Sequence, residues 1–222
     1  MAADARRLVT IDGPAGAGKT SVSRRAAGAL GLAYLDTGAM FRALALALGP
    51  GGHERPEADI DARLAAMTFA LVGSGADTVL HIDGQPLPDT ARTEEVGGWA
   101  SKLAVLPVVR RRLRLAQQAL GAHTDLLAEG RDMGTVVFPQ APHKFFLTAS
   151  PEVRATRRVA QLRALGRPAD YDAILQAIRN RDEQDIHRAA SPLIAADDAL
   201  VIDTSDMTED AVVACVVEAA AG

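Results

Sequence analysis

Short apolar runs alternate along this chain with longer segments of helical period. Residues 8–11, 33–36, 126–129, 144–147 and 199–203 are runs of four or five residues, the length of buried strands. Residues 21–30, 38–48, 151–165 and 171–186 have helical composition, and 96–120 reads as helical with a break near Pro107. A last helix, capped by Asp206 or Thr208, runs to about residue 220. Gly31 suits a helix C-terminus, Asp36 or Thr37 can cap the helix that follows, and Gly49-Pro50-Gly51-Gly52 ends it. Residues 166–170 separate the next two helices. Such alternation predicts an α/β fold: a five-stranded parallel sheet with helices on both faces.

The pattern changes in the middle of the chain. After a short amphipathic helix over 59–67, residues 68–72, 78–83 and 85–87 read as short strands. Gly73-Ser74-Gly75 and Asp83-Gly84 between them are hairpin-type turns. A small antiparallel insert over 60–100 is therefore expected within a core made of 1–59 and 101–222.

Composition excludes several classes. Apolar residues make up 48% of the 222, ample for a core, yet the longest apolar candidate, 43–48, is far short of the roughly 18 residues of a membrane span. Residues 1–7 have no apolar centre, so no signal peptide is read there. One cysteine, Cys215, allows neither an internal disulfide nor a cysteine metal cluster, and a cytoplasmic protein is the simple reading. A net charge of −4 argues against a nucleic-acid partner. Of 24 basic residues 21 are arginine. A GC-rich coding sequence accounts for most of that excess, so position must decide which arginines matter.

The most informative positions are Gly13, Gly18, Lys19 and Thr20, which satisfy G-x-x-x-x-G-K-[ST] between a predicted strand and a predicted helix. Glycines let successive amide groups point into one concavity, and the helix beginning near Lys19 adds the positive end of its dipole. Lys19 can reach the β- and γ-phosphates of a nucleoside triphosphate, and the Thr20 hydroxyl the magnesium between them. In a parallel sheet, ligands bind beyond the carboxyl ends of the strands. Asp36-Thr37-Gly38 and Glu129-Gly130-Arg131-Asp132 should therefore meet the loop at one rim. Glu129 sits where a magnesium-holding carboxylate would sit, or caps the next turn. Arg131 and Asp132 read as a phosphate clamp and an acceptor for a substrate amine, or as a surface pair.

Arg154, Arg157 and Arg158 share one helix face, where Arg154 and Arg158 repel by about 0.2–0.5 kcal/mol unless an anion intervenes. A phosphate ligand is favoured over a solvated face. Arg181, Asp185 and Arg188 also share a face, where Arg181 and Asp185 can simply pair. The run Arg110, Arg111, Arg112, Arg114 is mostly solvated, and no histidine has metal-ligand spacing.

Residues 11–19 (Ile-Asp-Gly-Pro-Ala-Gly-Ala-Gly-Lys), 35–42, 91–96, 129–139 (Glu-Gly-Arg-Asp-Met-Gly-Thr-Val-Val-Phe-Pro) and 181–188 resemble the bacterial cytidylate kinase family, over about residues 8–203. The resemblance implies a P-loop kinase core, a mobile lid over about 151–170 and a nucleotide-binding insert over 60–100. It implies transfer of the γ-phosphoryl group of ATP to CMP or dCMP with magnesium. ATP would be bound by Gly13, Pro14, Ala15, Gly16, Ala17, Gly18, Lys19, Thr20 and Ser21, with Thr20 and Glu129 on the metal. CMP would be bound by Thr37, Arg42, Ser101, Arg110, Arg131, Asp132, Arg181, Asp185 and Arg188. Lys19, Arg131, Arg154, Arg157 and Arg158 would carry the transfer. Phe41 departs from the expected tyrosine, Glu129 from the common aspartate and Ala91 from isoleucine or valine, which touches fine specificity. Two rivals are a P-loop kinase for another small acceptor, such as a different nucleoside monophosphate or shikimate, and a non-catalytic ATP sensor. The insert and the Ser101, Arg110, Asp132 set disfavour the first, and a second basic cluster disfavours the other. Nothing in the sequence demands a dimer, so a monomer is expected.

Overall fold

A computed structural model describes residues 6–188 and 190–221. Strand β1 (Leu8–Asp12) leads through the glycine loop into α1 (Lys19–Leu30), and β2 (Ala33–Asp36) runs directly into α2 (Thr37–Leu48). Then come α3 (Glu57–Ala66), the short strands β3 (Phe69–Val72), β4 (Val79–Ile82) and β5 (Gln85–Pro86), and helices α4 (Glu94–Leu103) and α5 (Pro107–His123). The chain closes with β6 (Leu126–Gly130), β7 (His143–Thr148), α6 (Pro151–Ala164), α7 (Tyr171–His187), β8 (Leu200–Asp203) and α8 (Glu209–Ala221).

The main sheet has five strands in the order β2-β6-β1-β7-β8, all parallel, as expected. Period-two alternation divides its side chains between two cores. Val9, Ile11, Leu127, Phe145 and Leu147 point to one, closed by Val22, Ala26 and Ala27 of α1 and Val212 and Val216 of α8. Leu35, Leu126 and Ala128 point to the other, closed by α2, α3, α4 and α5. Burial on both faces is why these strands read as continuous apolar runs.

A second, antiparallel sheet, β3-β4-β5, spans residues 69–86. Its 75–77 turn is held to the core. The Thr78 hydroxyl accepts from the Tyr34 amide at 3.1 Å, and Arg24 donates to the Ala76 carbonyl at 3.0 and 3.3 Å.

Element ends differ from the expected ones where local chemistry intervenes. Helix α3 starts at Glu57, because Pro56 sits at its N-terminal boundary in an extended conformation. The segment 96–120 is two helices, broken before Pro107 as expected, with ends at Glu94–Leu103 and Pro107–His123. Thr93 caps α4 by accepting from the Val96 amide at 3.3 Å, and Pro107 opens α5. Asp36 caps α2 through the Ala39 amide, at 3.1 Å. Thr208, not Asp206, receives the amide of Ala211 at the start of α8. One element has no periodic signal: a π-type turn, Met133–Val137, follows β6. Among the described residues no helix is long and apolar enough to cross a membrane.

Gly13 joins β1 to the loop at φ 145°, where a Cβ would lie 1.9 Å from the Leu147 carbonyl oxygen. Replacing Gly13 by Ala is expected to cost at least about 1–3 kcal/mol, the usual range for imposed backbone strain, as a lower urea midpoint with unchanged m-value.

Candidate active site

The loop after β1 opens α1 through Gly18, whose left-handed φ of 86° turns the chain into the helix. The first buried residue of that helix is Lys19, whose Nζ donates to the Pro14 carbonyl at 2.7 Å. Burial, and then the Arg131 guanidinium, push this amine down to about 7, against Glu129 and Asp12, which favour its charge. The lysine is thus folded back on its own loop, holding a carbonyl where a phosphate oxygen would satisfy it better.

Glu129, 4% exposed near the end of β6, lies opposite Ile11 of β1 and Asp36 of β2. The Thr20 hydroxyl donates to its Oε1 at 2.7 Å, and the Thr37 hydroxyl donates to its backbone carbonyl at 2.7 Å. Its Oε2 is buried without a hydrogen-bond partner among the described residues. Burial, and next the Asp36 carboxylate, push this acid up, while Lys19 and Thr20 hold it down. A buried carboxylate oxygen without a partner, beside a hydroxyl, fits a hard cation with oxygen ligands. Among the described residues no group of three or more His, Cys, Asp or Glu side chains could hold a metal, so Glu129 and Thr20 would need further oxygens from a bound phosphate.

The facing wall is built from arginines. Arg110 pairs with Asp132, donates to the Ala104 carbonyl at 3.1 Å, and has its guanidinium 6.0 Å from the centre of the Phe41 ring. Arg131 Nε donates to Asp185 Oδ2 at 3.1 Å, and Arg188 Nη1 lies 3.5 Å from Asp185 Oδ1. The expected Arg181–Asp185 pair is replaced by these two contacts. Arg181 has no hydrogen bond among the described residues, and burial, then Arg131, lower its pKa. Arg42 Nη1 donates to the carbonyls of Ala91 (3.1 Å) and Thr93 (3.0 Å), tying α2 to the chain just before α4.

The three arginines of α6 part company. Arg154 is 3% exposed and spans the Ala149 carbonyl (2.9 Å), the Ala15 carbonyl of the loop (3.1 Å) and Asp182 of α7 (2.9 Å). Arg157 donates to Thr204 Oγ1 at 3.0 Å, and Arg158 pairs with Glu94 at the start of α4. The repulsion expected between Arg154 and Arg158 is answered here by Asp182 and Glu94. Glu152 turns to Arg179 instead, at 2.6 Å.

Every residue assigned from the sequence to ATP, CMP, metal or transfer, except Gly13 and Pro14, lines one cleft of about 1360 Å³. That exceeds the roughly 300–1,000 Å³ of a pocket for a single small ligand, and it suits two. Sequence reasoning missed Asp12, Glu94 and Asp182. Asp12 ends a strand at the ligand-binding rim, which is a signal, whereas Glu94 and Asp182 show only in three dimensions.

A parallel sheet whose glycine loop opens a helix, facing a second subsite rich in arginine, defines a P-loop kinase. The cytidylate kinase family model matches residues 9–221. The cytidylate kinase of Nitratidesulfovibrio vulgaris strain Hildenborough is 53% identical over 208 residues, 94% of this chain and 90% of that protein. That of Oleidesulfovibrio alaskensis is 51% identical over 94% of this chain and 95% of its own. That of Pseudomonas aeruginosa is 44% identical over 95% and 93%. A solved shikimate kinase from Bacteroides thetaiotaomicron is similar at 12% identity and a TM-score of 0.49, over 96% of this chain and 97% of that one. The chain belongs to the cytidylate kinase family.

Lys19 makes stability depend on pH. Its pKa is about 7 folded against 10.5 as a free side chain, so the unfolded chain binds more protons between those values. Stability of the nucleotide-free protein should therefore rise with pH across that window through this group. Lys19→Met should flatten that rise in urea titrations at pH 7, 8.5 and 10.

Proposed function

We propose that the chain transfers the γ-phosphoryl group of ATP to CMP or dCMP, giving ADP and CDP or dCDP, in pyrimidine nucleotide metabolism. The observation that carries this reading is the single cleft in which a triphosphate loop faces a cluster of paired arginines, in a member of the cytidylate kinase family.

Each subsite has a chemical reason. The loop amides of residues 13–21 and Lys19 would cradle the triphosphate. Ser101, Arg110 and Asp132 would read the cytosine, Asp132 as acceptor for the exocyclic amine. Arg42, Arg131 and Arg188 would hold the acceptor phosphate, and Arg181 and Asp185 the sugar. Thr20 and Glu129 would hold magnesium, which would offset the charge of the donor phosphates. The phosphate of CMP is already a nucleophile, so transfer needs alignment and charge neutralisation and no general base. Lys19, Arg131, Arg154, Arg157 and Arg158 would supply that neutralisation. Closing the lid (about 151–170) over the insert (60–100) would exclude water that could otherwise take the phosphoryl group. The partners are these nucleotides alone, with no nucleic acid or membrane, and the same reading makes the enzyme a cytoplasmic monomer.

ADP release from ATP and magnesium, measured against CMP, dCMP, UMP, AMP and GMP, tests the proposal. Turnover should be strong with CMP and dCMP, weak with UMP and absent with the purines. A purine acceptor would overturn the assignment of Ser101, Arg110 and Asp132, and no turnover at all would return the protein to an ATP sensor or another acceptor. Lys19→Met should lower transfer by at least about a hundredfold, the scale of losing one preorganised charge, with the fold retained by circular dichroism.

A further inference from the structure

We infer that Asp12 is a positioning residue for the acceptor subsite: from the end of β1 it fixes the turn that aims Arg131 and Asp132. The inference rests on the acceptor subsite proposed above. Asp12 is 4% exposed and immediately precedes Gly13 of the triphosphate loop. Its two carboxylate oxygens accept the amides of Met133, at 2.9 Å, and Gly134, at 2.8 Å. In the sheet Asp12 lies beside Gly130, the last residue of β6. Arg131 and Asp132 are therefore the two residues between one anchor at Gly130 and another at Met133. With both ends pinned to β1, the two side chains are set in direction, Arg131 onto Asp185 and Asp132 onto Arg110.

The packing leaves this stretch little room to move. A Cβ on Gly130 would lie 2.8 Å from the Thr37 hydroxyl and the Met133 side chain, and one on Gly134 would lie 3.1 Å from the Thr10 hydroxyl. Burial pushes the Asp12 carboxyl up to about 6, with Asp132 adding to the rise, and the two amides and Lys19 opposing it. A carboxylate suits the position because it only accepts, and two amide donors converge on it. Asparagine has the same shape but must turn its NH2 towards one of those donors.

Asp12→Asn tests this with three readouts: titration calorimetry with CMP, separate titration with MgATP, and deuterium exchange at the amides of Met133 and Gly134. The CMP Kd should weaken at least about tenfold and the MgATP Kd stay within about threefold. Both amides should exchange faster, with those of 126–129 unchanged. Asp12→Ser keeps one acceptor and should fall between. Val9→Ala weakens the same strand from its opposite face, and should leave CMP affinity and both amides unchanged. Unchanged CMP affinity in Asp12→Asn, or equal losses for CMP and MgATP, would overturn the inference. So would failure of both Asp12 variants to fold, since Asp12 would then serve the sheet and not the turn. Should wild-type protein not bind CMP, the proposed function fails by that result, while the two amides still report whether Asp12 holds the turn.

Discussion

The rest of the structure depends on keeping many positive charges beside one another before any anion arrives. Arg42, Arg110, Arg131, Arg154, Arg158, Arg181, Arg188 and Lys19 all line one cleft. Like charges at such spacing repel strongly once water is displaced, and an unpaired buried cation is costly. The protein answers with carboxylates: Asp132 on Arg110, Asp185 between Arg131 and Arg188, Asp182 on Arg154, and Glu94 on Arg158. Arg42, Arg181 and Lys19 have no ion-pair partner among the described residues, and all three are pushed towards the neutral form by burial. These are the groups for which a bound phosphate improves the electrostatics most. An arginine still keeps its charge there because its intrinsic pKa is so high, while a lysine can lose it.

Geometry gives the cluster its precision. In a parallel sheet every strand ends on the same rim, and β6 is flanked by β1 and β2. Glu129, near its end, is where three elements meet. Thr20 from α1 holds its side chain, Thr37 from α2 holds its backbone carbonyl, and the strands on either side fix its register. The glycine loop and the arginine wall thus share a rigid mount, which phosphoryl transfer requires if the reacting atoms are to stay in line.

Much of this was legible in the sequence. Gly13, Gly18, Lys19 and Thr20 have a fixed local spacing, and the strands are short apolar runs, so both the loop and the sheet could be read from neighbours in the chain. The pairing partners could not. Arg181 and Asp185 have ideal spacing for a helical pair, yet Asp185 turns to Arg131 and Arg188, because a pair spaced along one helix gains only about 0.2–0.5 kcal/mol and tertiary partners readily override it. The π-type turn at Met133–Val137 escaped because Thr135-Val136-Val137 has strand composition. What holds its amides is Asp12, 121 residues earlier in the chain, where no local pattern can reach.

The arginines of α6, a single set in the sequence, divide by environment into two kinds. Arg154 is 3% exposed, and its guanidinium is shared between a loop carbonyl and Asp182, so removing either partner would strand a buried charge. It behaves as part of the rigid mount. Arg158 is about a third exposed, and its partner Glu94 is 72% exposed. Pairs this open contribute about 0–1 kcal/mol, little enough for a phosphate, which carries more charge and offers more acceptor oxygens, to displace the carboxylate. Glu94 opens α4 and Arg158 lies on α6, so the pair joins these two helices. Loss of the Arg158–Glu94 pair would therefore remove a link between α6 and α4 while Arg154 keeps its hold on the loop.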